Sequence, residues 1–251
     1  MKFSLSRISL SAIFATAVTI PQAVVNAKYV FAHVVVGNTA AHTQATWATD
    51  ISLAAAAGID AFVLNIAYPD SNVATQVSNA FAAATAAGST FKLFFAFDYL
   101  GGGEAWPSAS VISYLNEYRS SSAYFNYDSA PFVSTFEGTG NIADWSPSGV
   151  IRSAVGDIYF VPDWTSLGPA GIESYLDNIQ GGFSWDMWPN GAVNETDAVD
   201  KIWQAALRTG KTYMMGVSPW FFHSASGGTT WVWRGEFLTS LSYLVPDISC
   251  Y

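Results

Sequence analysis

One feature constrains the architecture of this chain most. An Ala-rich or amphipathic segment closes on a glycine, and within one to three residues a short run of β-branched and aromatic side chains begins. The junctions are Ala57-Gly58-Ile59-Asp60-Ala61, Ala87-Gly88-Ser89-Thr90-Phe91, Val155-Gly156-Asp157-Ile158, Gln180-Gly181-Gly182-Phe183 and Thr209-Gly210-Lys211-Thr212-Tyr213. Glycine ends helices because it adopts the left-handed conformation without a Cβ clash. A helix stop followed at once by a buried strand is the α-to-β half of a βα unit.

The pattern predicts strands at Tyr29–Val36, Ala61–Ile66, Phe91–Phe97, Phe132–Phe136, Ile158–Val161, Phe183–Trp185 and Tyr213–Val217. Helices are predicted at Thr43–Ala57, Ser71–Ala87, Ser108–Arg119, Pro169–Gln180 and Thr196–Thr209. The strands are continuous apolar runs, as expected where helices cover one face and a barrel interior the other. No linker or charge run divides the chain, so residues 28–251 read as one domain. About seven βα units argue for an α/β fold, a (β/α)8 TIM-type barrel that is incomplete, its eighth strand missing or makeshift; such barrels typically take about 250 residues. On that reading the edges of the first and seventh strands are unpaired.

An open doubly wound sheet is the alternative, and it expects a Gly-rich phosphate turn after an early strand. Gly138-Thr139-Gly140-Asn141-Ile142-Ala143 has the G-x-G-x-x-A spacing but follows the fourth strand. Asp144-Trp145-Ser146-Pro147 then stands where a helix should open, so the segment reads as a loop.

Residues 1–27 read as a signal peptide: Lys2 and Arg7 precede the apolar run Ile8–Ile20, and Val25-Asn26-Ala27 offers a small-residue cleavage site. Secretion is therefore expected, to an extracellular or cell-wall location, with no membrane association after cleavage. The formal net charge is −9, and nineteen acidic against ten basic residues disfavour a nucleic-acid partner. Cys250 is the single cysteine, so no internal disulfide supports the fold and stability must come from the core. Aromatic residues make up 16% of the chain, enough to supply that core. Asn194-Glu195-Thr196 is a glycosylation sequon, which suggests an exposed loop.

In a barrel, chemistry sits at the C-terminal ends of the strands. Here those ends carry Asn65, Asp98-Tyr99, Glu137, Asp163-Trp164, Asp186 with Trp188, and Trp220. Each taken alone has a bland explanation, since a strand-end Asp is often a loop hydrogen-bonder and a Trp is more often core. Four acids at successive strand ends, each beside an aromatic, suit a sugar instead. Ring faces stack on indoles, hydroxyls bond to carboxylates and amides, and glycoside hydrolysis needs two carboxyl groups. Other chemistries lack their residues. Ser218 has no nucleophile elbow around it, and His33, His42 and His223 show no metal-ligand pairing, so neither a metal nor a cofactor is expected. His33, inside the first strand, reads as a hydrogen-bonded core histidine.

Several strings resemble the fungal endo-1,3-α-glucanases, the mutanases of glycoside hydrolase family 71. They are Val30-Phe31-Ala32-His33 with Val36-Gly37-Asn38-Thr39, Lys92-Leu93-Phe94-Phe95-Ala96-Phe97-Asp98 and Val133-Ser134-Thr135-Phe136-Glu137-Gly138. Phe160-Val161-Pro162-Asp163-Trp164, Phe183-Ser184-Trp185-Asp186-Met187-Trp188-Pro189, Val217-Ser218-Pro219-Trp220-Phe221 and Trp231-Val232-Trp233-Arg234-Gly235 continue in order. The resemblance runs from about Tyr29 to Glu236. It implies a secreted barrel without a cofactor that hydrolyses the polysaccharide α-1,3-glucan with inversion, and a monomer is expected. It places Asp98 at the functional aspartate of strand three. Asn65, Tyr99, Glu137, Asp163, Trp164, Asp186, Trp188 and Trp220 fall at substrate-binding positions. It also implies an eighth strand bearing W-N-D-Y-G-E, the expected acid and base, which this sequence does not contain. The chain is thus expected to be a barrel shortened at its C-terminus, and a secreted carbohydrate-binding protein without turnover is the second expectation.

Overall fold

The computed structural model describes residues 28–88, 90–188 and 196–218, together with the backbone of 220–224, 230–234 and 248–250. The signal-peptide segment, the sequon asparagine and the side chains of Trp220, Trp231, Trp233 and Cys250 lie outside the described residues.

Helix α1 (Gln44–Ala56) opens on a capping box, with Thr43 Oγ1 accepting from Thr46 N at 3.2 Å. α2 (Val73–Ala87) stops at Gly88, whose φ of 55° a Cβ would penalise. Strands β1 (Tyr29–Val35), β2 (Ala61–Ala67) and β3 (Lys92–Asp98) flank these helices, as the glycine cadence predicts. The fourth junction works differently. Gly181 lies inside its strand, β7 (Gly181–Phe183), where a Cβ would stand 2.3 Å from Thr212 O. Glycine there permits close strand approach and does not stop a helix. The predicted helix Pro169–Gln180 is correspondingly broken into α6 (Gly168–Ile172) and a 3-10 stretch, Glu173–Asn178, kinked at Tyr175.

Between β3 and β7 the chain forms α3 (Ser108–Tyr118), a small hairpin of β4 (Asn126–Tyr127) and β5 (Ala130–Phe136), and β6 (Tyr159–Phe160). Residues 138–145, expected as loop, instead make a 3-10 turn at Thr139–Asn141 and α4 (Ile142–Trp145), because Ile142 and Trp145 both find buried sites. α5 (Val150–Val155) follows, then, after β7, α7 (Ala198–Leu207) and β8 (Thr212–Gly216). β9 (Trp220–Ser224) and β10 (Thr230–Arg234) form a separate antiparallel pair. β11 (Ile248–Cys250) pairs in parallel with both β1 and β8. The edges expected to be unpaired at the first and seventh predicted strands are thus paired there.

The strand order is β4-β5-β3-β2-β1-β11-β8-β7, with β6 against β5, and all pairs along it except β4–β5 are parallel. Beyond β6, Asp163 bridges Phe136 on one side and Phe183 on the other. Side chains alternate between two faces. Phe62 meets Trp47 of α1, and Phe95 meets Phe81 of α2 and Tyr114 and Tyr118 of α3, so this face is covered by helices. The opposite face joins Phe31, Phe94 and Phe132 in one aromatic cluster. One buried polar cluster on the helix side is fully bonded: Trp47 Nε1 donates to Gln76 Oε1 at 2.9 Å, and Gln76 Nε2 donates to the Ala40 and His42 carbonyls.

Candidate active site

The inner face gathers polar residues at the C-terminal ends of the strands. Asn65 of β2 and Asp98 of β3 are both buried there. Register aligns Asp98 with Phe136, and Phe136 with Asp163, so three neighbouring strands carry this part of the rim.

Asp98 Oδ1 accepts from Leu100 N at 2.9 Å and Gly101 N at 2.6 Å. These two donors aim the carboxyl group and fold the following loop tightly back on its strand. An added Cβ at Gly102 would lie 1.9 Å from Tyr68 O and 2.6 Å from Tyr68 C. Backbone atoms cannot yield as a side chain does. Gly102→Ala is therefore expected to lower stability by about 3 kcal/mol, the upper end of overpacking costs. Urea unfolding checks this, and an unchanged midpoint would show the approach to be relaxed in solution.

Asp163 is fully buried. Its Oδ1 accepts from Thr165 N at 3.0 Å and Thr165 Oγ1 at 2.6 Å. Its Oδ2 is buried with no partner among the described residues. Burial pushes its pKa up to about 7; the Thr165 bonds oppose that rise, while the charges of Glu137 and Asp186 add to it. Thr165 Oγ1 also accepts from Trp185 N at 2.7 Å, tying the end of β6 to the end of β7. The next residue, Ser166, binds both Glu137 oxygens: its amide donates to Oε1 at 2.9 Å and its hydroxyl to Oε2. Glu137 itself sits at φ 54°, a strained region for a residue with a side chain. Asp186 is exposed and accepts from Ser184 Oγ at 3.1 Å.

The aromatic expectations divide. Trp188 is 39% exposed and meets Trp185 edge-on at 6.0 Å, and Leu100 beside Asp98 is 61% exposed. Tyr99 and Trp164, expected to bind substrate, are buried instead. Tyr99 lies on the helix side of β3's end, its hydroxyl accepting from Trp145 Nε1 at 3.0 Å while Gly138 presses on its ring. Burial raises its pKa. Trp164 points outward against Phe160 and Tyr175 and has no accessible face. Strand parity explains both: each follows an inward-facing aspartate by one residue and so faces the other way.

Residues 26–241 match glycosyl hydrolase family 71. The chain belongs to that family. It is 34% identical over 230 residues to glucan endo-1,3-alpha-glucosidase agn1 of Schizosaccharomyces pombe, covering 84% of this chain and 51% of that protein. A mutanase of Penicillium rubens is 32% identical over 236 residues, covering 88% of this chain and 50% of that protein. The chain thus spans about half the length of the curated relatives it matches. Among solved structures, the GH99 endo-alpha-mannosidase from Bacteroides thetaiotaomicron superposes with a TM-score of 0.60 at 18% identity, covering 82% of this chain and 66% of that one. At that identity the likeness is one of fold: a parallel-stranded α/β sheet of TIM type.

Within this family 71 chain, three residues join the site beyond those the sequence singled out. Thr165 and Ser166 hold Asp163, Glu137 and Trp185, as described above. Trp185 occupies the inner face, its ring centroid 4.9 Å from that of His33, 4.8 Å from Phe136 and 5.7 Å from Phe183. Its position two residues beyond Phe183, on the same side of the extended chain, was the available signal. His33 corrects an expectation. Both ring nitrogens are buried, and neither has a hydrogen-bond partner among the described residues. Burial lowers its pKa to about 4, so the ring is neutral near pH 7.

Proposed function

We propose that the parallel sheet is a (β/α)8 barrel whose eighth position is the makeshift strand β11, and that its mouth binds α-1,3-glucan for hydrolysis. The stagger supports the barrel. From Asp163, register runs through Phe183, Met214 and Ile248 to Tyr29. In the other direction it runs through Phe136 and Asp98 to Ala67, which lies level with Gly37, two residues past Val35. The two routes reach the first strand eight residues apart, the shear of such a barrel.

The observation that carries the function is the convergence of Asn65, Asp98 and Asp163 at one end of this sheet, with Glu137 held alongside by Ser166, in a family 71 chain. Asp98 and Asp163 stand two strands apart, about 9.6 Å of backbone, narrowing toward the axis. Asp98 is assigned to the chemistry; Asn65, Glu137, Asp163, Asp186 and the exposed indole of Trp188 bind sugar, with Trp220 assigned there by resemblance. Secretion through residues 1–27 and action as a monomer complete the reading.

Insoluble α-1,3-glucan incubated with the chain is expected to release reducing sugar, and Asp98→Asn is expected to slow release by about 10²-fold or more. A second reading is glucan binding without turnover, which the buried Asn65, Asp98 and Asp163 and the exposed indole of Trp188 would support by themselves. Co-sedimentation with the glucan but no sugar above the buffer blank would select it. Neither release nor co-sedimentation would reject both.

A further inference from the structure

The barrel stagger has a consequence for residues below the rim. With eight residues of shear over eight strands, each successive strand advances one residue at equal height. His33, Ala96, Asp163 and Gly216 then share one layer, contributed by alternate strands. His33 and Asp163 stand on opposite walls of it, and the other two positions carry almost no side chain. Trp185, one layer higher, lies over them, with its ring against His33 and its amide bonded to the threonine that holds Asp163.

We propose that His33 and Asp163 form a deep subsite, roofed by Trp185, that takes hydroxyl groups of an uncharged sugar ring when the indole turns aside. The inference rests on the glucan-binding reading and adds residues and a ligand orientation to it. Three polar atoms carry it: both ring nitrogens of His33 and Oδ2 of Asp163, all buried and without partners among the described residues. Buried polar groups are ordinarily hydrogen-bonded, and leaving them unmade is costly. A neutral imidazole offers one donor and one acceptor, and sugar hydroxyls supply both complements. An anion would meet Glu137 and Asp186 beside Asp163. A cation would leave the imidazole N–H unanswered. Ala96 contributes only a methyl group to the layer, and the space beside Gly216 is taken by Met187 and Phe183.

The chain contains three histidines, so side-chain ¹⁵N resonances are resolvable in the intact protein. Titration with α-1,3-linked glucotriose is expected to shift both ring nitrogens of His33, assigned through His33→Gln. Those of His42, paired with Asp50 at 3.2 Å, should stay in place. Calorimetry on the same ligand is expected to show roughly tenfold or greater weakening for Asp163→Leu. Asp163→Asn, which keeps a donor in place, should bind within about threefold. Binding by the wild type with unmoved His33 resonances overturns the inference and leaves the glucan reading intact. Equal affinity of the leucine variant would do the same. No binding of the trisaccharide by the wild type would overturn both together.

Discussion

Between pH 4 and 6.5, Asp163→Asn is expected to gain about 3 kcal/mol of stability relative to the wild type, and His33→Gln to lose about as much, at 1.36 kcal/mol per pKa unit. The two groups are displaced in opposite directions. His33 falls from 6.5 to about 4 on folding, so the unfolded chain binds more protons in that window and stability rises with pH. Above pH 6.5 its contribution is complete, and it is lost as pH falls toward 4. Asp163 rises from 3.8 to about 7, so the folded chain binds more protons there and stability falls as pH rises. In the wild type the two slopes nearly cancel. Removing either exposes the other, and because each variant is read as a difference from wild type, the remaining carboxylates drop out. Urea unfolding of the three proteins at half-unit pH steps checks the account. Parallel stability curves would mean that neither group is buried as described.

Trp145→Ala is expected to cost about 3–5 kcal/mol, the usual range for emptying a large aromatic site. Trp145 is fully buried and stacks on Phe160 with ring centroids 4.4 Å apart and planes 10° from parallel. Its loss also removes the donor to the Tyr99 hydroxyl, a second penalty at a buried polar group. The effect should reach the site. Tyr99 supports Gly138 from below, and Gly138 follows Glu137, whose strained backbone survives only while its surroundings hold it. Trp145→Phe should recover much of the stability yet still leave the Tyr99 hydroxyl without this donor. A thermal melt within a degree or two of wild type for the alanine variant would show that α4 is not structural.

Much of the candidate site was legible in the linear chain. Asp98, Glu137, Asp163 and Asp186 each follow a predicted strand, and the rule that barrel chemistry sits at strand ends sets all four on one rim without coordinates. The two aromatic misreadings came from adjacency. Trp164 follows Asp163 as Tyr99 follows Asp98, and residues adjacent in an extended chain face opposite ways. The hydroxyl clasp of Thr165 and Ser166 left no mark in the sequence, because a Thr-Ser pair after a strand is ordinary loop composition.

The amino-acid order alone determined the βα rhythm, the placement of the main helices and strands to within a few residues, and the family. Those properties depend on local propensity, apolar periodicity and helix-stop glycines, all of which act over a few residues. Only the tertiary structure decided that Ile248–Cys250 pairs with both β1 and β8, that the Trp185 ring packs against His33, and that the His33 ring nitrogens and Asp163 Oδ2 are buried without a hydrogen-bonding neighbour among the described residues. Each of these joins residues far apart in the chain. Register and burial exist only once distant strands have paired, so no local pattern records them.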